Sequence, residues 1–180
     1  MAAPTSAQAV ANEFLDLQAS DPGHPPIDQM KIQKLVFYAH AWYLGINKAP
    51  LFDEDVYAWP WGPVVPPIYS DFQSFGRHPI SGRKSTKLSV VSEGGVQKIR
   101  FVTPEVQDPS VKEFLRQVWD SHKGYTGVQL SNATHAPGEP WTVVLGQYGN
   151  LDKKPQIPNE LIAEIFAQKV ANEAAKGAGA

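Results

Sequence analysis

The sequence predicts an α+β, mainly α domain: about six helices packed around a central aromatic helix, with one small β-hairpin. Three observations predict it. Apolar residues recur at helical spacing in most segments, the run Lys34-Leu35-Val36-Phe37-Tyr38-Ala39-His40-Ala41-Trp42-Tyr43-Leu44 is apolar nearly all round, and a glycine pair at 94–95 separates two β-favouring runs.

Val10, Phe14 and Leu17 give residues 7–17 one apolar face, and the helix stops before Asp21-Pro22-Gly23-His24-Pro25-Pro26. Asp28 is an N-cap for the central helix, which the pattern carries to about Leu44 with Gly45 as its stop. Met30, Leu35, Tyr38, Ala39 and Trp42 share one side of it, other apolar residues spread around the rest, and Lys31 and Lys34 are expected to keep one strip in water.

Val56-Tyr57-Ala58-Trp59 reads as an edge strand ending at Pro60. The turn Trp59-Pro60-Trp61-Gly62-Pro63 is too rigid for a linker, and helical spacing resumes over 64–75, with Pro66 and Pro67 confined to its first turn. Leu88–Val91 and Val96–Val102 flank Ser92-Glu93-Gly94-Gly95 as the two strands of a hairpin.

Asp108-Pro109 opens a helix whose face is Val111, Phe114, Leu115, Val118 and Trp119. Thr126 caps a short helix to about Thr134, a further helix runs from Trp141 to Gln147, and Asn159 caps the last, with Leu161, Ile162, Ile165, Phe166 and Val170. The expected organisation is one domain over residues 1–173 and a flexible small-residue tail over 174–180.

Composition excludes several chemistries. The chain has no cysteine, hence no disulfide, thiolate metal site or thiol nucleophile, and its charge, composition and N-terminus lead us to expect a cytoplasmic protein without membrane contact. His24, His40, His78, His122 and His135 never fall at i, i+3 or i, i+4, so no metal and no cofactor are expected. His40 is assigned to the rim of the central helix, and His135 to tying down its loop through a backbone hydrogen bond. No nucleophile elbow, phosphate loop or dinucleotide fingerprint occurs, and Asp53-Glu54-Asp55 reads as a solvated rim, so catalytic residues are not assigned and the protein is not expected to be an enzyme.

The net charge of -2 is unevenly distributed. Arg77, Arg83, Lys84, Lys87, Lys98 and Arg100 face one acid, Glu93, within 77–100, and the remainder of the chain is acidic. A partner could thus be steered by charge. An alternative function, a nucleic-acid-binding regulator using 77–100, is weakened by the acidic total and by the lack of stacking aromatics other than Phe101.

In the aromatic corner, Trp59 is expected near the core and Trp61 exposed as a binding anchor. Leu35, Tyr38, Trp42, Trp59, Gly62, Pro63, His135 and Trp141 form the structural motif. Pro60, Trp61, Arg77, Arg83, Lys84 and Lys87 are the candidate partner-binding residues.

Four ordered blocks carry a resemblance to a known family: 31–44 (Lys31 to Leu44), Pro50-Leu51-Phe52-Asp53-Glu54, Ala58-Trp59 with Gly62-Pro63-Val64-Val65-Pro66, and Leu130-Ser131 with Thr134-His135 and Pro140-Trp141. Together they resemble the Panacea domain, also called SocA-like, of bacterial and phage-encoded antitoxins. The resemblance implies a toxin-antitoxin role in which the domain binds a cognate protein toxin, often encoded by a neighbouring gene, and neutralises it by contact. In the SocA-like branch it further implies a proteolytic adaptor that delivers the toxin to the ClpXP protease.

Overall fold

In the computed structural model, which describes residues 3–178, helix α2 (Gln29–Asn47) lies at the centre, with every residue from Lys31 to Ala41 buried. Around it pack α1 (Ala7–Ser20), α3 (Pro66–Phe72), α4 (Pro109–His122), α5 (Gly127–Thr134) and α7 (Asn159–Ala178), with α6 (Pro140–Tyr148) bridging α5 and α7. The apolar all-round pattern of α2 has this cause: a helix enclosed by others has no face left for water. Asp28 caps α2 by accepting from the Lys31 amide at 2.7 Å.

The helix does not end at Gly45. It continues to Asn47, and Lys48 closes it in the left-handed region. Gly45 instead serves packing, because a Cβ there would lie 2.8 Å from the Phe166 backbone carbonyl carbon in α7. The absence of a side chain lets α2 and α7 approach closely, and Trp42 meets the Phe166 ring edge-on at 5.0 Å.

Two separate sheets complete the fold. The first has the order β2-β1-β5, all antiparallel, from β1 (Val56–Trp59), β2 (Gly62–Val64) and β5 (Gln156–Ile157). The strand expected at an edge is therefore the middle one; β5, too short to show a pattern, supplies the second neighbour. Residues 62–64 are strand, so the helix expected over 64–75 starts at Pro66 and ends in a single 3₁₀ turn, Gln73–Phe75. The second sheet is the hairpin of β3 (Lys87–Glu93) and β4 (Val96–Val102), with Gly94 and Gly95 both at positive φ in its turn.

The described residues form seven α-helices. α4 begins at the Asp108 cap with Pro109 in its first turn, and α5 at a capping box in which Thr126 and Gln129 satisfy each other's amides. α7 runs to Ala178, so residues 174–178 are exposed helix where a flexible tail was expected; 179–180 lie outside the described residues. No helix among the described residues is long and apolar enough to cross a membrane.

Two polar assignments are overturned by the structure. Lys31 and Lys34, expected to stay wet, are buried. Lys31 Nζ donates to the carbonyls of Pro25 (2.7 Å) and Lys123 (2.8 Å), while its stem fills the core. His40 is fully buried rather than at a rim: its ring stacks on Phe52 at 4.1 Å, and Nε2 donates to Asn159 Oδ1 at 2.9 Å. Burial holds its pKa down to about 4, so the ring is neutral. The Asn159 side chain, expected to cap α7, is engaged by His40 instead.

Candidate functional site

The β1–β2 turn is built from Pro60, whose ring restricts the entering backbone, Trp61, and Gly62 at φ 109°. Only glycine fits at 62, since a Cβ would stand 2.7 Å from Lys34 Cε and 2.8 Å from Thr134 Oγ1. Side chains from three helices grip the turn's backbone. Trp141 Nε1 in α6 donates to the Trp59 carbonyl (2.8 Å), Ser131 Oγ in α5 to the Trp61 carbonyl (2.8 Å), and Lys34 Nζ in α2 to the Pro63 carbonyl (3.2 Å). Gln33 Oε1 accepts from the Val65 amide at 3.0 Å.

His135 completes the grip. Its Nδ1 donates to the Ser131 carbonyl at 2.6 Å, its ring packs on Trp141 at 3.8 Å, and Nε2 lies 3.4 Å from the Pro60 carbonyl. The role expected for it, restraining its loop through the backbone, matches this geometry. Thr134 Oγ1 also donates to the Ser131 carbonyl, at 2.6 Å. The hydroxyls and imidazole here are thus committed to backbone carbonyls.

Burial of Lys34 against a single acceptor lowers its pKa to about 7. The Lys34 side chain lies directly behind Gly62.

What the corner presents outward is Trp61, 72% exposed, beside exposed Pro60. Trp59 is half-buried rather than in the core: Tyr69 packs against it at 4.8 Å and Lys154 Nζ sits 4.0 Å over the ring. Leu35 and Tyr38 are core, and Trp42 is half-buried at the α2–α7 contact.

The basic candidates lie apart from the corner. Arg77 is exposed after the 3₁₀ turn, Arg83 is exposed in the following loop, Lys84 pairs with Asp16 of α1, and Lys87 opens β3. Lys98 and Arg100 in β4 both pair with Glu93, at 2.9 and 2.7 Å. Three of the six cations thus already face carboxylates, which leaves a poor track for phosphates. Among the described residues no hydrogen bond or ion pair joins Pro60 or Trp61 to these cations, and no group of three or more His, Asp or Glu could hold a metal.

The hairpin carries a feature that reading it for charge misses. Cross-strand pairs Leu88–Phe101 and Val90–Ile99 place four large apolar side chains on one face, exposed by 61, 77, 63 and 70% respectively. The signal was the alternation Leu88-Ser89-Val90 and Ile99-Arg100-Phe101, which predicts one apolar face but not what covers it.

The model of the family "Antitoxin SocA-like, Panacea domain" matches residues 32–142. The chain is also similar to the protein named Antitoxin SocA of Caulobacter vibrioides (strain NA1000 / CB15N), with 30% identity over 175 residues, 96% of this chain and 89% of that protein. No solved structure gives a significant match. The matched span holds the whole corner: Gln33 and Lys34 from α2, Gly62 and Pro63 from the turn, Ser131, Thr134 and His135 from α5 and its cap, and Trp141 from α6. With the match spanning over half of the chain and the relative covering nearly all of it, the chain belongs to the SocA-like, Panacea-domain antitoxin family.

Proposed function

We propose that this chain is an antitoxin that binds a cognate protein toxin and neutralises it, with Trp61 and Pro60 as a fixed anchor and Arg77, Arg83, Lys84 and Lys87 steering the encounter. The observation that carries this reading is the corner. Segments more than 100 residues apart in sequence, from Gln33 to Trp141, grip its backbone while its one large ring points into solvent.

A tryptophan held in place before binding loses little freedom on association, which suits a recognition anchor. Charge on the basic segment would act on association rate more than on final affinity. Delivery of the bound toxin to ClpXP is the route of neutralisation that the family resemblance favours.

Co-expression tests the function. The protein encoded beside this chain should be toxic alone and harmless with it, and Trp61→Ala should weaken rescue at least several-fold while leaving the melting temperature nearly unchanged. A neighbour whose toxicity this chain leaves unrelieved would overturn the antitoxin reading. Rescue that persists at full strength in cells lacking ClpXP would overturn the adaptor route and leave neutralisation by contact.

A further inference from the structure

We propose that the cavity between α2, α4 and α5, walled by Tyr38, His122, Tyr125, Gln129 and Leu130, is a binding site for a small uncharged ring compound that carries an amide or another paired donor and acceptor. None of the residues that grip the Trp61 corner lines it, and the site does not rest on the antitoxin reading.

The cavity holds about 450 Å³, a size usual for small-molecule sites, and opens to solvent. The Tyr38 and His122 rings lie 4.9 Å apart between centroids, and Tyr125, Leu130 and Ala133 add aromatic and aliphatic surface. Such walls receive a flat ring by offset stacking and apolar burial. No Asp, Glu, Lys or Arg lines the cavity, so a charged ligand would leave water without gaining an ion pair.

The polar atoms decide what the ring must carry. Tyr38 is only 7% exposed, yet its hydroxyl has no hydrogen-bond partner among the described residues. Burial pushes its pKa up, so the O–H keeps its proton and can donate. His122 Nδ1 donates to the Val118 carbonyl at 2.7 Å, and burial lowers the pKa of the ring, which leaves Nε2 unprotonated as an acceptor. Gln129 Oε1 accepts from the Thr126 amide at 2.8 Å and hydroxyl at 3.2 Å, so its NH₂ group remains to donate. One acceptor beside two donors suits an amide, whose N–H meets His122 and whose carbonyl takes Tyr38 or Gln129. A donor in so enclosed a place binds a ligand carbonyl more strongly than the same donor in water would.

The test uses the full chain, with benzamide as the probe and amide ¹H–¹⁵N spectra as the readout. Benzamide should shift the amides of residues 121–133 saturably, in the millimolar range or below. Benzoate and benzylammonium, similar in shape but charged, should bind at least tenfold more weakly. Long-range imidazole spectra should show the bare Nε2 resonance of His122 moving as it accepts a hydrogen bond. Tyr38→Phe removes only the hydroxyl, so benzamide affinity should fall at least threefold while the melting temperature stays level or rises. Ala133→Trp, at an exposed position of α5, fills the cavity without entering the core and should abolish benzamide binding.

Shifts that fail to saturate, benzoate binding as tightly as benzamide, or benzamide binding undiminished by Ala133→Trp each overturn the assignment. A lowered melting temperature with unchanged affinity in Tyr38→Phe gives the hydroxyl a structural role and overturns it too. So does a wild-type chain that ignores benzamide while Ala133→Trp weakens toxin rescue, which hands the same walls to an aromatic side chain of the toxin. Trp61→Ala lies outside the cavity, and its effect on rescue reports on the antitoxin reading alone.

Discussion

Asn12 and Ser85, 73 residues apart, form a reciprocal pair: the Asn12 carboxamide accepts from the Ser85 amide at 2.8 Å and donates to the Ser85 carbonyl at 3.0 Å. The same carboxamide also donates to the Pro104 carbonyl, so one side chain of α1 holds both ends of the hairpin segment. Asn12→Ala would strand one buried amide and two carbonyls. It should cost about 2–4 kcal/mol of stability, from one to two unsatisfied groups' worth of desolvation. Hydrogen exchange of amides 87–102 should accelerate more than that of α2, and uniform acceleration across the chain would show that Asn12 does not specifically hold the hairpin.

Gly62→Ala should damage the corner more than its size suggests. The substitution meets both a positive φ and contacts of 2.7 and 2.8 Å with Lys34 and Thr134. A loss of about 2 kcal/mol or more is expected in chemical denaturation, together with a change in the fluorescence of the neighbouring Trp61. Unchanged stability and emission would mean that the turn is not strictly held.

Lys34 gives stability a pH dependence of determined sign. Its folded pKa is about 7, against 10.5 for the free side chain. Between those values the unfolded chain binds the proton more tightly, so stability rises with pH from about 7 upward and is lower, and level, below 7. Lys34→Met removes the buried amine and should flatten that rise, which is on the order of a few kcal/mol across the full interval. The comparison belongs in denaturant titrations at pH 6.5, 8 and 9; equal slopes for both proteins would refute it. Lys31, whose burial lowers its pKa to about 8, contributes in the same direction and is common to both.

Gly45→Ala addresses the α2–α7 contact. In an isolated helix alanine would be favoured by about 1 kcal/mol. Here the new methyl meets Phe166 backbone atoms at 2.8 and 2.9 Å, which cannot rotate away. The helices must separate, and a net destabilisation of about 1–3 kcal/mol is expected in urea unfolding. A stabilised variant would show that α7 moves freely on α2.

The local elements were legible because their signals are local. The Asp28, Asp108 and Thr126 caps, the proline at the start of α4, the glycine pair of the hairpin and the apolar face of α4 each specify structure over one or two turns of chain. β5 was not legible, since two residues carry no periodicity and pair only because β1 presents an open edge. Gly45 misled for a related reason: a glycine near a helix end signals termination locally, and only the approach of α7 gives it a different use.

In the site, the sequence by itself determined the aromatic central helix, the rigid Trp-Pro-Trp-Gly turn, the exposed Trp61 and the concentration of positive charge. Tertiary structure alone decided what holds and covers them. Lys31 and Lys34 look like solvated positions because of their charge, yet long aliphatic stems can be buried when loop carbonyls such as those of Pro25, Lys123 and Pro63 receive the ammonium groups. Likewise the apolar hairpin face went unread in the sequence, and only the fold leaves that face uncovered. Both outcomes depend on contacts between residues distant in sequence, which no local pattern encodes.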